Sequence, residues 1–204
     1  VDVDKPVIDV LSQIVKTYPI DLSAPSPIKC KHLTRENLAG MLTVIGVKNG
    51  VEVGVSGGRF SQSICARNPG IKFYGVDPYS IEENNDNFKT QEDAEYAYAT
   101  ALRRCKAYDY TLIRKTSAEG VKEFKDGSLD FVYLDGNHMY DHVIEDVRLW
   151  SKKVRVGGIL SGHDYMLRNE NCQVTEAIND YTKANGIAPW IIFGRIKSWL
   201  WVKK

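Results

Sequence analysis

Hydrophobic and polar positions follow two rhythms along this chain. From Asp4 to Tyr18, apolar residues recur at Val7, Val10, Leu11, Ile14 and Val15, the spacing of one helical face. Asp4 is placed to cap that helix, with Pro6 in its first turn. A loop with Pro25, Pro27 and Lys29-Cys30-Lys31-His32 follows, and Thr34 opens a second helix carrying Leu38, Met41, Leu42 and Ile45. These two helices are expected to cover one side of a sheet or to lie over its ligand edge. From there short apolar runs alternate with helical stretches. Strands are predicted near 49–54, 71–76, 110–114, 129–134 and 158–162, and helices over 58–67, 93–107, 117–125, 140–151 and 173–185. Asn68-Pro69-Gly70 stops the first of those helices. Strands alternating with helices imply a doubly wound parallel sheet. The tail departs from that rule: Trp190 to Phe193, then Gly194-Arg195, then Ile196 to Val202. Two strands joined by so short a turn are antiparallel neighbours. The α/β sheet so predicted has seven strands, mostly parallel, with the last antiparallel.

Composition narrows the partners. The chain has 204 residues, 43% of them hydrophobic, enough for one core and one domain. Residues 1–48 are read as its N-terminal helical cap and 49–204 as its core. A net charge of +1 implies no strong pull toward nucleic acid or membrane. Lys152-Lys153-Val154-Arg155, the densest basic group, is read as a solvated loop. No apolar run approaches the roughly 20 residues that span a bilayer. The four cysteines (Cys30, Cys65, Cys105, Cys172) form no Cys-x-x-Cys pair, and reduced, buried thiols in a cytoplasmic protein are expected.

The stretch Val51-Glu52-Val53-Gly54-Val55-Ser56-Gly57-Gly58-Arg59-Phe60-Ser61 reads as a buried strand, a glycine-dense turn and a helix start. Such a turn lets a ligand lie against bare backbone at Gly54, Ser56, Gly57 and Gly58, facing the N–H groups of the first helical turn. A second strand ends at Asp77, placed to accept hydrogen bonds from ribose hydroxyls. The turn lacks the G-x-G-x-x-G spacing of dinucleotide sites, which argues against an NAD-linked dehydrogenase. Glu52 would repel a pyrophosphate but suits a cationic ligand bearing an amino acid, such as S-adenosylmethionine. A strand that merely ends in a carboxylate is the plainer alternative.

With Gly75-Val76-Asp77-Pro78, Leu134-Asp135-Gly136-Asn137-His138-Met139-Tyr140 and Val156-Gly157-Gly158-Ile159-Leu160-Ser161-Gly162-His163-Asp164-Tyr165 added to that turn, the chain resembles the class I S-adenosylmethionine-dependent methyltransferases. The resemblance runs from about Gly50 to the C-terminus. More narrowly, it is to the small-molecule O-methyltransferases of the macrolide-sugar and catechol types. It implies a Rossmann-like fold, with Glu52, Gly54 and Gly58 around the methionine moiety and Asp77 on the ribose. Ser117 and Ala118 would lie beside the adenine, and Asp135 under the reacting centre. Catechol-type enzymes follow the second aspartate with an asparagine ligand, where this chain has Tyr165.

Asp135 and Asp164 fall at the carboxyl ends of the fourth and fifth predicted strands, where open α/β sheets bind ligands. Neighbouring strands are about 4.8 Å apart, so the two carboxylates can meet at one Mg²⁺ or other hard divalent ion. His138 is the candidate base for a hydroxyl acceptor. His163 could be a third ligand, a supporting partner or a bystander, and His142 makes a His-x-x-x-His site formally available. The acceptor is expected to be a small hydroxylated molecule, a sugar among the options, and a homo-oligomer is allowed. Tyr79 to Asn87 and Tyr165 to Asn171 could each contact that acceptor. A metal-free methyltransferase with an N or O acceptor and a catalytically silent binding protein are the alternatives.

Overall fold

The computed structural model describes residues 9–81, 88–165, 172–195 and 197–204. Four of the helices start at side chains that satisfy the free N–H groups of a first helical turn. Asp9 accepts from Ser12 N ahead of α1 (Val10–Thr17), and Thr34 from Asn37 N ahead of α2 (Arg35–Met41). Asp4, the expected cap, lies outside the described residues. Thr90 and Asp93 form a reciprocal capping box on α4 (Gln91–Cys105), after α3 (Arg59–Arg67), and Thr116 and Glu119 form one on α5 (Ser117–Gly120). The helix expected to run on to residue 125 gives way to a 3-10 turn at Val121–Glu123. α6 (Tyr140–Lys153) and α7 (Val174–Ala184) complete the helices.

The strands are β1 (Ile28–Cys30), β2 (Asn49–Val53), β3 (Lys72–Val76), β4 (Tyr110–Ile113), β5 (Leu129–Leu134), β6 (Val154–Tyr165), β7 (Ile191–Phe193) and β8 (Lys197–Val202). They form one sheet in the order β1-β7-β8-β6-β5-β2-β3-β4. Every pairing is parallel except those of β8 with β6 and β7. The doubly wound α/β fold with a reversed last strand is therefore the one expected, with one strand more. Ile28–Cys30, read as part of a loop within a helical cap, pairs with β7 at the sheet edge. Three residues with a buried-exposed-buried alternation behind Pro27 are too short a run to show a period. Nor is the Lys152–Arg155 group a solvated loop. Lys153 ends α6 and pairs with Asp126 at 2.7 Å, while Arg155 lies in β6 and pairs with Asp130.

Both faces of the sheet are covered. One carries Ile14, Leu38, Leu42, Ile64, Phe73 and Phe131, and the other Val51, Val132, Val147, Trp150, Leu160 and Ile178. Trp190, Trp199 and Trp201 are buried with the second group, so the terminal aromatics are core. All four cysteines are buried and unpaired. No helix among the described residues is long and apolar enough to cross a membrane.

Register places the site. Val53 lies opposite both Val76 and Leu134, and Leu134 opposite Gly162. The residues that follow these partners, Gly54, Asp77, Asp135 and His163, therefore leave the sheet at one level. The chain passes from β2 to one side for β3 and β4, then returns to the other for β5 and β6. That reversal opens a crevice at the carboxyl ends of β2 and β5.

Candidate active site

The glycine turn is shaped by its neighbours as much as by any ligand. Gly54 has φ +84°, and a Cβ there would stand 2.1 Å from the carbonyl oxygen of Asp135. A Cβ on Gly58, at φ +72°, would press on the backbone of Ala101 at 2.9 Å. Ser56 and Tyr79 also take positive φ, rare for residues with side chains. Asp77 holds them there. Its Oδ2 accepts from the N–H groups of Val55 and Ser56, and its Oδ1 from that of Tyr79, each at 2.9 Å. The Tyr79 hydroxyl in turn donates to the Ser56 carbonyl at 2.9 Å. Two carboxylate oxygens offer about four acceptor positions, so Asp77 is largely spent on the turn.

Beside it lies a cleft of about 270 Å³ lined by Gly54, Asp77, Ser117, Ala118, Asn137 and Asp146, among others. The Ser117 hydroxyl donates to Asp146 and accepts from Trp150 Nε1 at 2.8 Å. Ser117 and Ala118 thus border this cleft, and the Ser117 hydroxyl is already engaged. His142 lines this cleft too. The only candidate metal-binding cluster found among the described residues joins Asp135, His138 and Asp164, so the His138–His142 pair does not form one.

A larger cleft, about 830 Å³, is bordered by Glu52, Gly54, Ser56, Gly57, Asp135, His138 and Asp164. Ligand atoms of Asp135, His138 and Asp164 all lie within 4.8 Å of one another. Asp164 sits at φ +57°, in an irregularity of β6 between Gly162 and Tyr165. A residue held so against its preference is a mark of functional positions. His163 Nδ1 stands 2.9 Å from Asp164 Oδ1 and 3.6 Å from Asp135 Oδ1. His138 Nε2 is 2.9 Å from Asp164 Oδ2. Burial pushes Asp164 up, but the two imidazoles outweigh it and hold its carboxyl well below the usual range. The Asp164 carboxylate raises His138 against its burial. Asp135 is raised, burial outweighing Arg35 and His163.

The family profile of a methyltransferase domain matches residues 51–165, more than half of the chain. The chain belongs to that methyltransferase family. Among curated proteins, R132 of Acanthamoeba polyphaga mimivirus is 28% identical over 130 residues, 63% of this chain and 57% of that protein. The chain thus spans little more than half the length of that relative. Among solved structures, an O-methyltransferase from Bacillus cereus in complex with SAH has a TM-score of 0.60 at 13% identity, covering 100% of this chain and 94% of its own. The O-methyltransferase TomG from Streptomyces achromogenes, in complex with SAM, has a TM-score of 0.58 at 12% identity, covering 100% and 93%. This methyltransferase domain therefore has the fold of class I O-methyltransferases.

Two residues at these clefts had no signal in the sequence. Arg35, the first residue of α2, donates to Asp135 Oδ2 at 2.9 Å and lies 3.5 Å from Glu52 Oε1. Its guanidinium rests over the rings of Phe60 and Tyr133, 4.0 and 4.9 Å from their centroids. Glu52 is buried, with Ser61 donating to it, and burial pushes its carboxyl up to about 8 against the pull of Arg35 and Ser61. Asp146 also went unmarked. The segments 82–87 and 166–171, most of the two expected acceptor loops, lie outside the described residues.

Proposed function

We propose that this protein transfers a methyl group from S-adenosylmethionine to a hydroxyl of a small molecule, a sugar among the candidates, with a divalent cation at Asp135 and Asp164. The observation that carries this is the gathering of two carboxylates and two imidazoles beside the glycine turn, at one level of the sheet. Glu52, Gly54, Ser56, Gly57 and Gly58 would receive the methionine end of the cofactor in the larger cleft. Asp77, Ser117, Ala118 and the backbone near Asp135 would frame its nucleoside in the smaller one. The fit is chemical: a carboxylate raised by its burial borders the cleft where a cationic ligand would sit. Bound there, S-adenosylmethionine supplies the electrophilic methyl group.

The two imidazoles divide the remaining work. His138 lines the open cleft and its side chain is 31% exposed, whereas that of His163 is 14% exposed and lies between the two carboxylates. Asp135 and Asp164 would hold the cation, with His163 beside both carboxylates, and its charge would lower the pKa of a nearby hydroxyl. His138, which lines the cleft beside Asp164, is the base that takes the hydroxyl proton. Arg35 and the carboxylates fix the positions between which transfer occurs, and alignment is the main contribution of the fold.

One observation favours a metal-free version: Arg35 already pairs with Asp135. Electron paramagnetic resonance of Mn²⁺ titrated into the protein separates the two. Saturable binding, lost in Asp164→Asn, supports the cation, and free Mn²⁺ throughout removes it.

A further inference from the structure

A single guanidinium stands between two carboxylates of the larger cleft. Arg35 Nη2 lies 2.9 Å from Asp135 Oδ2 and 3.5 Å from Glu52 Oε1. Among the described residues no other arginine or lysine pairs with either acid.

A clamp between α2 and the sheet is the plainer role for such a residue, and two observations count against it. Strong arginine–carboxylate pairs are commonly two-pronged, with two parallel N–H···O bonds. Arg35 makes one, from Nη2, and its Nε is buried without a hydrogen-bond partner among the described residues. Nor does α2 need the clamp. Leu38, Ala39 and Met41 bury its inner face, and just beyond it Thr43 N and Oγ1 both donate to Asn68 Oδ1 at 2.8 Å. The Arg35 side chain is 25% exposed and borders the larger cleft together with Glu52 and Asp135.

The guanidinium has a second resting place. Its Cζ lies 4.0 Å from the centroid of the Phe60 ring and 4.9 Å from that of Tyr133. Aromatic faces attract a cation without drawing on a carboxylate, so Arg35 can give up Asp135 and stay over the rings beside Glu52. Asp135 in turn is able to change partners, because its ligand atom lies within 4.8 Å of those of His138 and Asp164. A divalent ion there meets a carboxylate whose charge is already shared, with a like charge beside it.

We propose that Arg35 competes with the divalent ion for Asp135, so that the protein alone holds the ion weakly and exchangeably. The inference rests on the cation of the methyl-transfer reading above and assigns control of its affinity to one positioning residue.

Electron paramagnetic resonance of Mn²⁺ titrated into wild type and Arg35→Gln tests this. Removing a positive charge beside a bound dication should tighten Mn²⁺ by about tenfold or more, a gain that damage to the site would not produce. Arg35→Lys keeps the charge and should stay within about threefold of wild type. Arg35→Met keeps the packing on Phe60 and Tyr133 and should match Arg35→Gln; it serves where thermal midpoints show the first variant to fold poorly. Adding Asp164→Asn to the charge-free variant should abolish its binding, and retained binding would place the ion elsewhere and overturn the proposal. Mn²⁺ affinity no higher in the charge-free variants, or as large a gain in Arg35→Lys, overturns it and spares the cation. No saturable binding in any of these proteins removes both. Binding confined to the charge-free variants supports the competition and leaves wild type with the metal-free version of the reaction.

Discussion

At the tip of β3, Asp77 accepts three backbone N–H groups; at the tips of β5 and β6, Asp135 and Asp164 face Arg35, His138 and His163. Most acceptor positions of the first carboxylate go to holding the turn. The other two meet side chains able to move, exchange protons or give way to a cation. One half of the carboxyl edge is a mould and the other is equipped for chemistry, although the same sheet register delivers both. Position at a strand tip therefore does not distinguish a binding carboxylate from a structural one; the donors around it do.

Removing the reactive imidazole should break the comparison most sharply. His138→Ala is expected to slow turnover by about 10²–10⁴-fold, the range for a lost general base, with little change in thermal midpoint. Near-normal turnover would put the base elsewhere. Asp77→Ala should do the reverse. It leaves the N–H groups of Val55, Ser56 and Tyr79 without their acceptor, at a cost of about 1–3 kcal/mol for each that stays buried and unpaired, so the thermal midpoint should fall together with cofactor affinity. Loss of affinity at an unchanged midpoint would make Asp77 a ribose ligand and not a clamp.

Glu52 sharpens the contrast through pH. Its carboxyl lies at about 8 in the folded chain against an ordinary 4.5. The unfolded chain thus gives up that proton first, and the free protein should lose stability as pH rises from 4.5 through about 8. A cationic ligand beside Glu52 favours the carboxylate, so cofactor binding near neutral pH should release a proton. Binding heats that vary with the ionisation enthalpy of the buffer, and cease to vary in Glu52→Gln, are the expected result; identical heats for both proteins would place the ammonium away from Glu52. The smallest effect expected is for Tyr79→Phe, which loses the bond to the Ser56 carbonyl. A stability loss of about 1 kcal/mol in chemical denaturation would fit. No loss would mean that Asp77 holds the turn alone.

The backbone-dictated part of this site was legible in the sequence. The glycines of the turn and the strand tips at Asp77, Asp135 and Asp164 follow from period and punctuation, which are local. What escaped depends on contacts between distant segments. Arg35 meets Asp135 across 100 positions; the sequence left open whether α2 covers a sheet face or lies over the ligand edge, and did not mark Arg35. The spending of Asp77 on the turn was hidden because a strand-end aspartate reads the same whether it binds a ribose or a backbone. Ile28–Cys30 was missed because an edge strand of three residues has too few positions to alternate.

The most direct test of a methyl-transfer site at this edge is a calorimetric titration of the wild-type protein with S-adenosylhomocysteine. Saturable binding at one site per chain is predicted. Heats that stay at the level of dilution up to millimolar ligand would contradict the account.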